Sequence, residues 1–362
     1  MSVIHKAGTT LLRQLPAETA HDMTIRLLRA GFGPRRMTPH PPELATSVAG
    51  LTLPNPVGLA AGFDKNASVP DAMFRFGFGW VECGTVTPRA QAGNAKPRLF
   101  RLPEHGAVIN RMGFNNGGLE PFAARLRHRQ GRPGILGANL GANKDSQDRI
   151  ADYCEGLTRL WGLSDYFTIN ISSPNTPGLR KLQGADEMDE LLARLAETRK
   201  SLRQSGIDAN PVAAADYPLL LKVAPDLSID AVPRVLEQVW AYQFDGVIVA
   251  NTTLDRPDTI GARWAAEAGG LSGEPVFEKS TRLLAAFFEA SKGEIDLIGV
   301  GGIGSGAQAY AKIRAGAKAV QLYSALVFNG PGLVSDICSD LVARLKADGF
   351  STIAEAVGTG AT

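Results

Sequence analysis

Two hydroxyls and two carboxamides fall within six residues in Asn170-Ile171-Ser172-Ser173-Pro174-Asn175, and Thr176-Pro177-Gly178-Leu179-Arg180 follows directly. Pro174 and Pro177 each fix a φ angle and withdraw a backbone donor, so the stretch reads as a stiff loop. It follows Tyr166-Phe167-Thr168-Ile169, an aromatic and β-branched run that reads as a buried strand. A rigid loop just past the carboxyl end of a strand can hold a hydroxyl and amides in fixed positions for proton transfer. The plain alternative is a turn capped by its own Ser and Asn side chains. The residues alone do not choose between Ser172 and Ser173 as the reacting hydroxyl.

Other apolar runs end on groups of compatible chemistry. Asn139, Asn170, Asn175 and Asn251 supply neutral amides suited to the imide-like edges of a flat heterocycle. Lys222 stands alone within Leu219-Leu220-Leu221-Lys222-Val223, where a structural role needs a costly buried partner and an anionic ligand is the better one. Gly301-Gly302-Ile303-Gly304-Ser305-Gly306 precedes a helical pattern, and such a turn brings backbone amides to a phosphate. Negative charge, heterocycle and phosphate together describe a mononucleotide cofactor, and FMN fits. His5, His21, His40, His105 and His128 lie away from the strand ends, and Cys83, Cys154 and Cys338 lack metal-type spacing. We therefore expect no metal site and no Ser-His-Asp arrangement.

These groups need a scaffold that gathers strand ends. Eight apolar runs of strand length recur from residue 57 to 323, separated by helical or loop stretches. They are 57–61, 80–84, 135–139, 167–170, 219–223, 246–251, 297–301 and 319–323. Near-continuous apolar strands alternating with helices predict an α/β fold with a parallel sheet covered on its faces. Eight units over some 300 residues suit a closed (β/α)8 TIM barrel, whose chemistry lies at the carboxyl ends of the strands. Stretch 98–112 reads as an added hairpin, and 204–217 and 254–270 as long polar connections.

Residues 1–44 read as a separate N-terminal helical module, ahead of a barrel domain at 45–362. Leu11, Leu12 and Leu15 form one apolar cluster, and Ala20, Met23, Leu27 and Leu28 a second, with Pro16 between. Before residue 41, six basic residues stand against Glu18 and Asp22, a local balance of +4 in a chain of net charge +2. Two short basic amphipathic helices can lie on an anionic membrane face or pack on the main domain. Pro34 to Pro42 reads as a linker. The chain is 44% hydrophobic and 20% charged, a globular balance whose small net charge gives no preference for nucleic acid. Its sparse cysteines suit a reducing compartment. No apolar run is long enough to span a bilayer, and the start lacks a signal-peptide pattern.

Several motifs resemble the dihydroorotate dehydrogenase family. They are Ala61-Gly-Phe-Asp-Lys65-Asn, Glu82-Cys-Gly-Thr85-Val-Thr-Pro, Asn110-Arg-Met-Gly-Phe-Asn-Asn116, the Ile169-to-Arg180 loop, Lys222-Val-Ala-Pro-Asp, Asn251-Thr-Thr-Leu-Asp255, Gly270-Leu-Ser-Gly273 and Gly299-Val-Gly-Gly302. The resemblance runs in order from about residue 45 to 345. The serine in the fourth loop and the N-terminal extension resemble the membrane-associated, quinone-using class 2 branch.

The resemblance implies oxidation of (S)-dihydroorotate to orotate in pyrimidine biosynthesis, with FMN as hydride acceptor and a membrane quinone as final acceptor. It implies Ser173 as the base. It assigns FMN contacts to Ala61, Gly62, Phe63, Asp64, Lys65, Thr85, Asn139, Asn170, Lys222, Ala250, Gly273, Gly302, Tyr323 and Ser324. It assigns substrate contacts to Lys65, Asn110, Arg111, Met112, Gly113, Phe114, Asn170, Asn175, Asn251 and Thr252, with the backbone of 111–114 nearby. It implies a peripheral protein on the cytoplasmic side of the cell membrane, held through the N-terminal module. All these groups lie beyond residue 45, so the barrel is expected to form orotate without the module. A soluble acceptor such as fumarate or NAD, or a non-catalytic FMN-binding barrel, are the alternatives.

Overall fold

A computed structural model describes residues 3–34, 39–205 and 217–360. The linker and the 204–217 connection lie partly outside the described residues.

Eight parallel strands close a barrel, joined edge to edge in chain order. They are β1 (Val57–Leu59), β2 (Trp80–Val86), β3 (Ile135–Leu140), β4 (Tyr166–Asn170), β5 (Leu219–Val223), β6 (Gly246–Val249), β7 (Asp296–Val300) and β8 (Ala319–Leu322). All eight apolar runs read from the sequence are barrel strands. Burial on both sides explains the continuous apolar pattern: every residue of β2, β4 and β5 is buried. The outer helices give their apolar stripe to the barrel wall. In Ala185–Gln204, for example, Leu191, Leu192 and Leu195 are fully buried. Ser228 caps a single 3-10 turn at Ile229–Ala231 before the helix Val232–Ala241 begins.

Two further sheets close the ends. A hairpin of Thr46–Val48 and Leu51–Leu53 lies under the barrel, where Val48 and Leu53 pack with Trp80, Tyr166, Leu220, Ile248 and Ile298. Over the top, Leu99–Leu102 pairs antiparallel with Ala107–Asn110, the expected hairpin. Gly270–Gly273 joins it as a third strand. The sequence shows that stretch only as the end of a loop, because Gly-Leu-Ser-Gly has little strand propensity and takes its conformation from its partner.

At the N-terminus, α1 (Val3–Gln14) and α2 (Ala17–Arg29) form the expected helical pair, parted at Pro16. Ala20 and Leu28 are buried, whereas Leu11, Met23, Leu27 and Phe32 are exposed, Leu27 and Phe32 also lining the cavity described below.

Candidate functional site

The carboxyl ends of the strands, the top sheet and the two N-terminal helices enclose one cavity of about 920 Å³. Its deepest polar layer rests on Glu82, which β2 turns into the barrel and which is fully buried. Four donors converge on its carboxylate. Asn139 Nδ2 donates to Oε1 at 2.7 Å, and Gln321 Nε2, Thr168 Oγ1 and Tyr166 OH donate to Oε2 at 2.8, 3.0 and 3.2 Å. This satisfies a charge that burial would otherwise make prohibitive. The sequence shows Glu82 only as part of a motif, since its donors come from β3, β4 and β8.

Above it, Thr85 Oγ1 donates to Asn139 Oδ1 at 2.6 Å, and Asn170 Nδ2 donates to both residues at 3.0 and 3.1 Å. The β2–β3 register slips between Gly84 and Val86, which sets Thr85 apart from the regular ladder at this level. Ser172 Oγ donates to Asn170 Oδ1 and accepts from Asn251 Nδ2, both at 2.8 Å, and is fully buried. Ser173 instead lines the cavity, and its Oγ accepts only the Asn175 amide at 3.3 Å. The hydroxyl left open in the sequence is thus distinguished by position: one serine binds the amide layer together, and the other faces open space.

Arg180 fixes this loop from behind. Its Nε donates to Ser172 O at 2.9 Å, Nη2 to Thr252 O at 2.8 Å and Nη1 to Asp226 Oδ2 at 2.7 Å. Asp226 also accepts from Lys279 Nζ at 2.6 Å, from the Leu254 amide at 3.0 Å and from Thr253 Oγ1. Burial pushes the Asp226 carboxyl up, but the bonds from Lys279, Thr253, Leu254 and Arg180 outweigh it and pull it down to about 2. One arginine and one aspartate therefore tie the fourth, fifth and sixth loops together.

Two lysines reach the cavity. Lys222 is buried and hydrogen-bonds to no described residue; burial lowers its pKa, and the Glu82 charge opposes that. Lys65 is half-buried, pushed down to about 8 by burial against the opposing charges of Asp22, Glu18 and Asp64. On the module side, α2 brings His21 edge-on to Phe63 at 5.4 Å and within 6.4 Å of Tyr323. Burial first, then Lys65, lowers His21 to about 3, so its ring is neutral. Arg101 donates to Leu15 O and lines the same wall. His21 and Arg101 were not legible as site residues, because their placement depends on where the helices dock.

Most of the expected contacts share this cavity. Ala61, Gly62, Phe63, Lys65, Thr85, Asn170, Lys222, Ala250, Gly273, Gly302, Tyr323 and Ser324 line it, as do Asn110, Met112, Gly113, Phe114, Ser173, Asn175, Asn251 and Thr252. Three do not. Asp64 turns its carboxylate back onto the amides of Ser68 and Val69 at 2.8 and 2.7 Å, so it braces the first loop. Asn139 is fully buried beneath Thr85 and Asn170. Arg111 points away, over the Phe100 ring and onto Glu267 and Ala268 O.

A flavin mononucleotide fits the residues present. Lys222 offers a buried amine that hydrogen-bonds to no described residue, and Gln321 Oε1 and Thr252 Oγ1 are buried acceptors without partners among the described residues. Gly301 and Gly302, at φ +109° and +74°, line the cavity at the end of β7, where a Cβ would run into Ser280 and Phe277 behind them. The helix start expected to hold the phosphate is narrower than the sequence suggests. Ser305 caps Gln308 N at 3.2 Å, and Gln308 Oε1 takes the Gly304 amide at 2.8 Å. The Gly301–Gly302 step lines the same cavity as Tyr323 and Ser324. Among the described residues no cluster of three or more His, Cys, Asp or Glu is placed to hold a metal ion.

Comparison with known proteins gives a consistent picture. The family model described as dihydroorotate dehydrogenase matches residues 43–345. A dihydroorotate dehydrogenase (quinone) of Xanthobacter autotrophicus is 54% identical over 351 residues, covering 96% of each chain. One from Parvibaculum lavamentivorans is 51% identical over 348 residues, again covering 96% of each. Among solved structures, ligand-free DHODH from Eimeria tenella is similar at a TM-score of 0.88 and 37% identity, covering 94% of this chain and 98% of its own. The same enzyme with ferulenol gives a TM-score of 0.89 at 37% identity, covering 94% and 95%.

Proposed function

This chain belongs to the dihydroorotate dehydrogenase family, and on that premise we propose that it oxidises (S)-dihydroorotate to orotate in pyrimidine biosynthesis, with FMN as its flavin and a membrane quinone as final acceptor. The observation that carries this reading is the position of Ser173. Its hydroxyl accepts only the Asn175 amide among the described residues, in a cavity whose walls also hold the side-chain amides of Asn110, Asn175 and Asn251 and the amine of Lys65. When bound, the flavin supplies the hydride acceptor for C6 of dihydroorotate.

The chain's residues supply the rest. Ser173 Oγ takes the proton from C5 of the substrate as its own hydroxyl proton leaves along a relay, so that no charge builds on the oxygen. A serine hydroxyl is a weak base, so it depends on fixed geometry and a site closed to water. Asn110, Asn175, Asn251 and Thr252 orient the flat ring, and Lys65 offsets the substrate carboxylate. Lys222 places a buried positive charge beside the flavin, in surroundings that weaken it little by screening. Ala61, Gly62, Thr85, Asn170, Ala250, Gly273, Gly302, Tyr323 and Ser324 form the flavin bed.

The acceptor enters from the module side. No described helix is long and apolar enough to cross a membrane. The exposed Leu11, Met23, Leu27 and Phe32 neighbour Arg13, Arg26 and Arg29 along the chain, a pattern that pairs acyl chains with anionic headgroups. The protein acts peripherally, on the cytoplasmic side of the cell membrane. The test is anaerobic bleaching of the flavin by dihydroorotate, then reoxidation by ubiquinone, menaquinone, fumarate or NAD. Bleaching with quinone-selective reoxidation is expected; fumarate or NAD as the efficient acceptor overturns the assignment. Liposomes of anionic lipid should bind the full chain and release it in high salt, because exposed charges are screened over about 8–10 Å at physiological ionic strength.

A further inference from the structure

Glu18 stands on α2, in the module that the sequence assigns to the acceptor, yet its carboxylate is held by the barrel. Arg98 Nη2 donates to Oε1 at 2.7 Å, and Nε reaches both carboxylate oxygens at 3.2 Å. The pair is well shielded, with side chains 7% and 14% exposed for Arg98 and Glu18. The remaining Arg98 nitrogen, Nη1, donates to the carbonyls of Ala92 and Asn94 at 2.6 and 2.8 Å. Asn94 Nδ2 then donates to the carbonyls of Arg111 and Asn175 at 3.0 and 3.1 Å. Asn175 Nδ2 completes the chain by donating to Asn110 Oδ1 at 3.1 Å. Continuous hydrogen bonding thus leads from the acceptor module to two residues of the substrate wall.

We propose that Glu18 is a positioning residue for dihydroorotate, which holds Asn175 and Asn110 in register through Arg98 and Asn94 and so couples docking of the module to occupation of the substrate site. This rests on the assignment of Asn110 and Asn175 to the substrate. A shielded guanidinium that loses its carboxylate becomes an uncompensated charge and turns toward water. The Ala92 and Asn94 carbonyls then lose their donor, and Asn94 its fixed orientation. Glu18 and Asp22 also help Lys65 keep its proton against burial, so the module adds charge as well as geometry to the same wall. Coupling of this kind is reciprocal: if docking of α2 favours the ligand, the ligand favours docking of α2.

The test uses the full-length holoenzyme and orotate, whose binding is read from the shift in flavin absorbance. Glu18→Gln should weaken orotate binding by about tenfold with unchanged flavin content, within the usual range of coupling between sites. Lys96→Met is the control, because Lys96 touches the same carboxylate at 3.3 Å from an exposed position; it should bind orotate as the wild type does. In the wild type, orotate should slow amide hydrogen exchange across α2, and in Glu18→Gln it should not. Normal orotate affinity in Glu18→Gln with impaired reoxidation by quinone would show that the pair only anchors the module. Unchanged exchange in α2 of the wild type overturns the proposal without any variant, should Glu18→Gln fail to fold. If orotate does not bind the wild type at all, the proposed function fails instead.

Discussion

Replacing Arg180 by alanine separates loop geometry from the chemistry of the loop. The substitution removes three hydrogen bonds, two to carbonyls and one to Asp226. Asp226 keeps Lys279, Thr253 and the Leu254 amide, so no orphaned charge remains. The stability loss should therefore stay below the roughly 3–5 kcal/mol of a broken buried pair. With both side chains 20% exposed, about 1–3 kcal/mol is expected, the cost of underpaired carbonyls. The kinetic loss should be larger. Ser172 O is one peptide from Ser173, and displacing a reacting group by about 1 Å costs on the order of 10²-fold. Anaerobic stopped-flow bleaching by dihydroorotate should slow by about 100-fold at normal flavin content. Arg180→Lys should recover little, because an ammonium cannot span three acceptors with a planar fork. Added guanidinium should restore part of the rate to Arg180→Ala. Bleaching at near wild-type rate in Arg180→Ala refutes the idea that this clasp sets the base.

Three other outcomes follow from the same geometry. Ser173→Ala should keep its flavin but lose about 10²–10⁴-fold in the bleaching rate, and normal stopped-flow bleaching would remove Ser173 from the mechanism. Lys222→Ala should release flavin more readily or bleach more slowly; a variant that does neither shows Lys222 to be structural. For dihydroorotate, kcat/KM should fall as pH rises through about 8, because the substrate carboxylate needs Lys65 charged and burial has lowered that group from 10.5. Lys65→Gln should flatten that limb. The stability effect has the opposite sign: the cost of burying the charged lysine is present below about pH 8 and is relieved toward the unfolded value of 10.5.

Much of the barrel was legible because strands buried on both faces leave no alternation to misread. The lining of the cavity was legible where a side chain and its strand end point the same way, as at Lys222, Asn251 and Ser173. It was not legible where a nearer partner captures the side chain. Asp64 caps its own loop, Asn139 is spent on Glu82, and Arg111 is drawn to Glu267. Nor could sequence reveal contacts that exist only after distant pieces dock, such as His21 against Phe63 or Glu18 against Arg98. Arg180 shows both limits. It closes the serine loop in sequence, but its three acceptors come from the fourth, fifth and sixth loops.

The hairpin beneath the barrel has a consequence for traffic. With Val48 and Leu53 packed on Trp80 and Tyr166, the barrel is a cup with a solid base and has no passage along its axis. A polar product and a greasy electron carrier must then come and go through the same rim. With the N-terminal helices set against the membrane, as proposed above, one side of the rim opens to water and the other to lipid. The carrier's supply follows its solubility in the bilayer, while the product's escape follows its dilution in water. On that proposal, a compound lodged under the helices obstructs the carrier without competing with the product for space.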